Sequence, residues 1–181
     1  KGAIFGDNTD GVGLMRDLQQ NLGLALEGIN ILILGAGGAT RGIVQPLLSA
    51  KPASLTIANR TLKRASALAD HFSAYGPVTA CRFDDDMDAG DFGLIINATS
   101  AGLHGETPPY PDQAVNDKTC CYDLSYGLNA TPFSTWAAER GAARSVMGWG
   151  MLVEQAAESF SLWRGTRPDT APVLKQLSIN A

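Results

Sequence analysis

The stretch Ile31-Leu32-Ile33-Leu34-Gly35-Ala36-Gly37-Gly38-Ala39-Thr40 decides the fold. Four consecutive apolar residues run into a glycine cluster. Because nothing alternates, the run reads as a strand buried on both faces. Glycines let the backbone turn tightly and approach a ligand with no Cβ in the way. Residues 39–50 then read as a helix, in which Pro46 should introduce a kink or loosen the last turn. A helix N-terminus offers free N–H groups and a partial positive charge to a phosphate. Strand, turn and helix together make a seat for a dinucleotide pyrophosphate on Gly35, Ala36, Gly37, Gly38 and Ala39. Thr40 stands where G-x-G-x-x-G has its third glycine. A glycine turn that binds nothing and an S-adenosylmethionine site share this signature, so the flanks decide.

Upstream, Val12, Met15, Leu18 and Leu22 recur at helical spacing, which predicts a helix over 10–22 capped by Thr9 or Asp10. Downstream, strands at 54–58, 77–82, 92–97, 118–124 and 143–147 alternate with helices at 62–75, 131–140 and 151–163. The second of these helices has Pro132 in its first turn, and Pro172 opens a last short one. Ala65, Leu68, Ala69 and Phe72 form the inner side of helix 62–75. Asp84-Asp85-Asp86 reads as a solvated cap rather than a metal site. Residues 98–112 form a long loop rich in Gly, Thr and Pro, of a kind that often carries function. Strand and helix in alternation imply the α/β class, with a parallel sheet covered on both faces. The expectation is a doubly wound six-stranded sheet in order 3-2-1-4-5-6, a three-layer α/β/α NAD(P)-binding Rossmann fold with right-handed crossovers.

Composition narrows the function classes. The 181 residues are 45% hydrophobic and 18% charged, which suits one domain with a sizeable core. A formal net charge of −4 argues against sequence-independent nucleic-acid binding. No apolar run is long enough for a bilayer and no signal peptide is visible, so no membrane partner and a cytoplasmic location are expected. Cys81, Cys120 and Cys121 lack C-x-x-C spacing. They argue against a disulfide framework and a zinc site, and read as small buried hydrophobes in a reducing compartment.

The choice of cofactor falls on the end of the second strand. NAD enzymes usually place an acid there for the ribose 2′-hydroxyl. This chain has Asn59-Arg60-Thr61 instead, with Arg64 one helical turn beyond Arg60. Guanidinium groups clamp a phosphate with paired hydrogen bonds, and Thr61 adds a hydroxyl donor. The expectation is a 2′-phosphate pocket and hence NADP(H). The missing acid also counts against S-adenosylmethionine.

Several motifs spread along the chain carry a resemblance. They are Gly6-Asp7-Asn8-Thr9-Asp10-Gly11, Gly35-Ala36-Gly37-Gly38-Ala39, Asn59-Arg60-Thr61, Asn97-Ala98-Thr99-Ser100-Ala101-Gly102, Tyr122-Asp123-Leu124-Ser125-Tyr126, and Gly148-Trp149-Gly150-Met151-Leu152-Val153-Glu154-Gln155-Ala156. In these the chain resembles shikimate dehydrogenase. The resemblance implies NADPH-dependent, reversible reduction of 3-dehydroshikimate to shikimate in aromatic amino-acid (chorismate) biosynthesis. It implies that Asp10 sits by the reacting hydroxyl and works with a lysine that handles the proton. Gln155 would hydrogen-bond substrate hydroxyls and Tyr126 line the substrate cleft. Leu124 and Gly148 would approach the nicotinamide, Gly148 being chosen for backbone closeness, and Thr99 would lie on the cofactor side. His71 and His104 have no partner in these motifs and read as structural or surface residues.

The chain departs from the family pattern in lacking the N-terminal substrate domain with its catalytic lysine. Lys1, Lys51, Lys63, Lys118 and Lys175 match no such motif, and the chain starts without methionine, as a piece of a longer protein would. The organisation read from this is a linking helix over 1–23 carrying Asp10, an NADP-binding domain over 24–150, and C-terminal helices over 151–181 that would pack against the substrate domain. Such a piece is expected to bind NADP(H) but to turn over poorly or not at all. The apolar faces with Val12, Met15, Leu152 and Phe160 would lie exposed or be covered by a second copy, leaving a homodimer open. A quinate/shikimate dehydrogenase and a non-catalytic NADP(H)-sensing module are the competing readings. Asp10 and Gln155 speak against the sensor, which needs neither.

Overall fold

In the computed structural model, which describes residues 4, 6–83, 85, 91–100 and 110–179, the glycine turn closes the first strand of a six-stranded sheet. That strand, β1 (Asn30–Leu34), pairs with β2 (Ser54–Ala58) on one side and β4 (Phe92–Asn97) on the other. β3 (Val78–Cys81) lies beyond β2, and β5 (Cys120–Asp123) and β6 (Arg144–Met147) lie beyond β4. All pairings are parallel and the order is β3-β2-β1-β4-β5-β6, the doubly wound arrangement expected of the alternation.

Successive side chains of a strand point to opposite faces, and β1 supplies both. Ile31 and Ile33 join Leu55, Ile57, Leu94 and Ile96 beneath α1 (Asp10–Arg16), α2 (Gly38–Ser49), α3 (Leu62–Phe72) and the start of α5 (Trp149–Arg164). Leu32 and Leu34 join Ile95 and Cys121 beneath Phe133, Trp136 and Ala137 of α4 (Pro132–Glu139). The side chains of residues 31–34 are fully buried, which contributes about 1.5–3 kcal/mol apiece. Ala65, Leu68, Ala69 and Phe72 are the buried face of α3, as their spacing requires.

The first helix differs from its expected form. After α1 the chain widens into a π-helical turn over Asp17–Asn21, closed by the Leu22 N–H donating to the Asp17 carbonyl at 2.9 Å. The cause lies in the core. Asp17 is buried, its Oδ2 accepts from the Tyr122 hydroxyl at 2.6 Å, and its Oδ1 accepts from Asn21 Nδ2 at 2.8 Å. Thr9 is the N-cap, one of the two residues expected there, but its hydroxyl makes no cap bond and instead bonds Ser159 at 2.9 Å, while Asn8 Oδ1 accepts from the Asp10 N–H at 2.8 Å. Pro46 does not end α2, which runs on to Ser49. Cys120 and Cys121 are buried, which pushes their thiols up to about 11 and about 12, but Cys81 is half-buried.

The last helix, α6 (Ala171–Ile179), follows Arg167, which pairs with Glu158 at 2.6 Å and with the buried Glu154; Thr170 donates to Glu154 at 2.8 Å. On the outer faces Val12 and Phe160 are exposed, while Met15 and Leu152 are half-buried. Of Asp84-Asp85-Asp86, Asp85 lies among the described residues and accepts from the Arg82 N–H at 2.7 Å. Residues 101–109 of the long loop, with His104, lie outside the described residues. His71 is exposed and edge-on to Phe72. No helix among the described residues is long and apolar enough to cross a membrane.

Candidate functional site

In an open parallel sheet, ligands bind beyond the C-terminal strand ends, where the order reverses. Here that point lies between β1 and β4, and the glycine turn stands on it. Gly35 has φ +107°, and a Cβ there would lie 2.9 Å from the Ala98 carbonyl oxygen, so this position requires glycine. Thr40 is fully buried and its hydroxyl donates to the Gly35 carbonyl at 2.9 Å, pinning the turn to the helix it opens. Gly37 and Gly38 differ from Gly35. Both are exposed, and a Cβ on either would meet open space. Nothing within the described chain demands glycine there, and no side chain caps α2. Its first N–H groups face outward beside a bare backbone, with exposed Ala39 and Arg41 in the same turn.

At the end of β2, Asn59 Nδ2 donates to the Thr61 carbonyl at 3.0 Å and shapes the turn into α3. Thr61 is the N-cap of α3 and makes no side-chain cap bond. Arg60 precedes that helix and Arg64 lies in its first turn. The two therefore flank the helix entrance and do not share one helical face as the spacing suggested. Both are exposed and neither enters an ion pair among the described residues. Two free cations at an uncapped helix N-terminus suit an anion.

On the other side of the reversal, Thr99 donates from its hydroxyl (2.7 Å) and its N–H (3.2 Å) to Asn97 Oδ1. Leu124 N–H donates to the Asn97 carbonyl at 2.9 Å, and Gly148 N–H to the Ser125 carbonyl at 3.1 Å. A Cβ on Gly148 would lie 2.7 Å from the Leu124 carbonyl oxygen. The chain's own backbone already demands this glycine.

Asp10 and Gln155 lie on two helices that pack closely together. α1 runs beside α5 so closely that a Cβ on Gly13 would lie 2.7 Å from the Gln155 Cβ and N. One turn before Gly13, half-buried Asp10 opens α1; one turn beyond Gln155, Ser159 holds Thr9. On its other side α1 touches α2: a Cβ on Gly11 would meet the Pro46 ring and lie 2.7 Å from the Gly42 carbonyl oxygen. That carbonyl is the one Pro46 leaves without its usual helical donor. Tyr126 is half-exposed and packs its ring at 4.7 Å on Trp149, the first residue of α5. An open groove of about 430 Å³ on the outer side of α1 and α2, lined by Met15, Arg16 and Pro46 among others, contains none of the site residues expected from the sequence. Among the described residues no cluster of metal-ligating side chains forms.

A family model described as shikimate/quinate 5-dehydrogenase matches residues 17–105, and one described as the shikimate 5′-dehydrogenase C-terminal domain matches residues 148–177. A shikimate dehydrogenase (NADP(+)) of Methylococcus capsulatus is 56% identical over 176 residues, 97% of this chain. The chain belongs to the shikimate dehydrogenase family. It spans 63% of that relative's length. Among solved structures, an Ael1 enzyme from Pseudomonas putida is 45% identical with a TM-score of 0.86, covering 94% of this chain and 62% of its own. A shikimate dehydrogenase in complex with NADP+ is 30% identical with a TM-score of 0.77, covering 92% and 59%. In this member of the shikimate dehydrogenase family, the motifs left some residues unassigned that the structure sets in or beside the site. Arg41 is signalled by its place in the first turn after the glycines. Trp149 is signalled by its place beside Gly148. Asn97 and Asp123 are buried strand-end polar residues, and only the apolar strands before them hint at that burial.

Proposed function

We propose that these residues form the NADP(H)-binding part of an enzyme that interconverts 3-dehydroshikimate and shikimate. The observation that carries the reading is the wedging of α1 between α2 and α5 through Gly11 and Gly13. It holds α1, which Asp10 opens, against the helix whose N-terminus would take the dinucleotide, with Gln155 on the far side of α1. The residues fit that group: Gly37 and Gly38 leave room for it, and the first N–H groups of α2 receive its pyrophosphate. Arg60, Arg64 and Thr61 receive a 2′-phosphate where an acid would repel it, with Asn59 holding the turn. Thr99, Leu124 and Gly148 flank its other half. When bound, the group supplies the hydride acceptor or donor.

The chain's own residues do the rest. Asp10 orients the reacting hydroxyl and favours the protonated form of a neighbouring base. Gln155 binds further substrate hydroxyls and Tyr126 lines the substrate cleft. The lysine that moves the proton is assigned to residues beyond these 181, since Lys1, Lys51, Lys63, Lys118 and Lys175 match no lysine motif of the family. Residues 1–23 then serve as the linking helix, 24–150 as the cofactor domain and 151–181 as helices facing the substrate half.

Calorimetric titration with NADP+ and NAD+ tests the reading. NADP+ binds more tightly, and Arg60→Ala weakens it by about tenfold while leaving NAD+ nearly unchanged. Tighter binding of NAD+ to the parent chain overturns the assignment.

A further inference from the structure

Two buried polar side chains close the C-terminal edge of the sheet between β4 and β5. Asn97 is 3% exposed and Asp123 is 1% exposed. Asp123 Oδ1 accepts from Asn97 Nδ2 at 2.9 Å and from the Ser125 N–H at 3.0 Å, and its Oδ2 accepts from the Thr131 hydroxyl at 2.5 Å. The Thr131 oxygen itself accepts from the Ser134 N–H at 3.1 Å, which frees its proton for Asp123. Three donors on two oxygens describe an ionised carboxylate. None of those donors is a cation. Burial holds the carboxyl above the ordinary carboxylate range, against the pull of these bonds. A buried charge of this kind is costly, and packing alone would be served by an apolar side chain.

What the carboxylate does is visible in Asn97. With its amide nitrogen committed to Asp123, the Asn97 carbonyl oxygen must face the other way, and there it receives both the hydroxyl and the N–H of Thr99. On its own strand Asp123 fixes the Ser125 N–H, while the Leu124 N–H bonds the Asn97 carbonyl. The turns leaving β4 and β5 are thus tied to one anion. They sit between Gly35, which abuts Ala98, and Gly148, which abuts Leu124.

We infer that Asp123 is a positioning residue: acting through Asn97 and the backbone of residues 124–125, it sets the two strand-end turns that face the nicotinamide half of the dinucleotide. The inference rests on the NADP(H) reading of the site. In that reading the 2′-phosphate end lies at β2. The Asn97–Asp123 pair lies two to three strands away, roughly 10–15 Å at about 4.8 Å per strand. The latch therefore governs one half of the ligand and leaves the adenosine half alone.

The two halves are separable in solution. Binding of NADP+ and of adenosine 2′,5′-bisphosphate to the 181-residue chain is measured by calorimetry for the parent, Asp123→Asn and Asn97→Ala, with thermal melts as a check on folding. The Asn variant keeps the shape but turns one acceptor into a donor. It weakens NADP+ about tenfold and holds adenosine 2′,5′-bisphosphate within about twofold. Asn97→Ala, which leaves Asp123 its Ser125 and Thr131 donors, gives the same split, and carries the test alone if Asp123→Asn fails to fold. Equal loss of both ligands, or unchanged NADP+ binding in folded variants, overturns the inference. A parent chain that binds neither ligand refutes the NADP(H) reading instead.

Discussion

Thr40 occupies the third position of the glycine pattern and contributes something a glycine cannot. Its buried hydroxyl donates to the Gly35 carbonyl, locking the turn whose φ of +107° needs support. Thr40→Val keeps the shape and leaves that carbonyl unpaired, at a cost of about 1–3 kcal/mol, with a melting shift of roughly 2–4 °C per kcal/mol. Thr40→Ser retains most of it. A thermal melt distinguishes them, and equal melting of Val and parent forms would show that the bond contributes nothing. Asp112 offers a pH readout. The Trp136 indole N–H at 2.7 Å and then Arg140 at 2.7 Å hold its carboxyl below the ordinary value of 3.8. Lowered in the folded state, it contributes stability that is fully present above 3.8 and lost as pH falls through its lower folded value. The Trp136 indole N–H resonance should hold its position down to pH 3.8 and shift below it, and Asp112→Asn should abolish that shift. Neither role is legible from neighbouring letters. Thr40 reads as a missing glycine, and Asp112 lies 24 residues from the indole it holds.

At the scale of elements, α1 is the part whose reading changed most. The spacing of Val12, Met15, Leu18 and Leu22 announced a helix, but of these only Leu18 is fully buried, and the other core side chain of the segment is Leu14. Its cap residue, Thr9, was one of the two expected, but its π turn and the partner of the Thr9 hydroxyl stayed hidden. Both depend on partners far along the chain: Tyr122 for Asp17 and Ser159 for Thr9. Gly150 shows the same dependence, since a Cβ there would collide with the Asp17 carboxylate. The strands were legible to within a residue or two, because a buried parallel strand is a short apolar run bounded by turn residues, and that pattern is local. Gly13→Val tests the crossing. A branched side chain against the Gln155 backbone forces α1 and α5 apart, costing about 1–3 kcal/mol or more. The expected signature is a lowered melting temperature with nucleotide affinity largely kept, because the atoms nearest a Cβ on Gly13 belong to Gln155 of α5. Loss of nucleotide binding in a folded variant would show that α1 also shapes the pyrophosphate seat.

At the scale of the molecule, the strand order followed from alternation and the handedness of crossovers, and the family from motifs in chain order. Which glycines the fold itself demands did not follow, since all read alike until their surroundings are known. Gly35 and Gly148 abut backbone, and Gly37 and Gly38 abut nothing. Turnover belongs to this scale as well. The 181 residues alone should show no measurable shikimate oxidation. Joined to a substrate half, they should lose about 10²–10⁴-fold in kcat on Asp10→Asn, with NADP+ affinity unchanged. A steady-state rate from the isolated chain would show that it already contains its base. The wedge of α1 also has a consequence for sequence drift. Gly11 answers to α2 and Gly13 to α5, so neither can mutate before its neighbour has moved, and either move drags Asp10 with it. Such a helix is held by a ratchet with two pawls. Exposed Val12, between the two, is where a side chain has room to change.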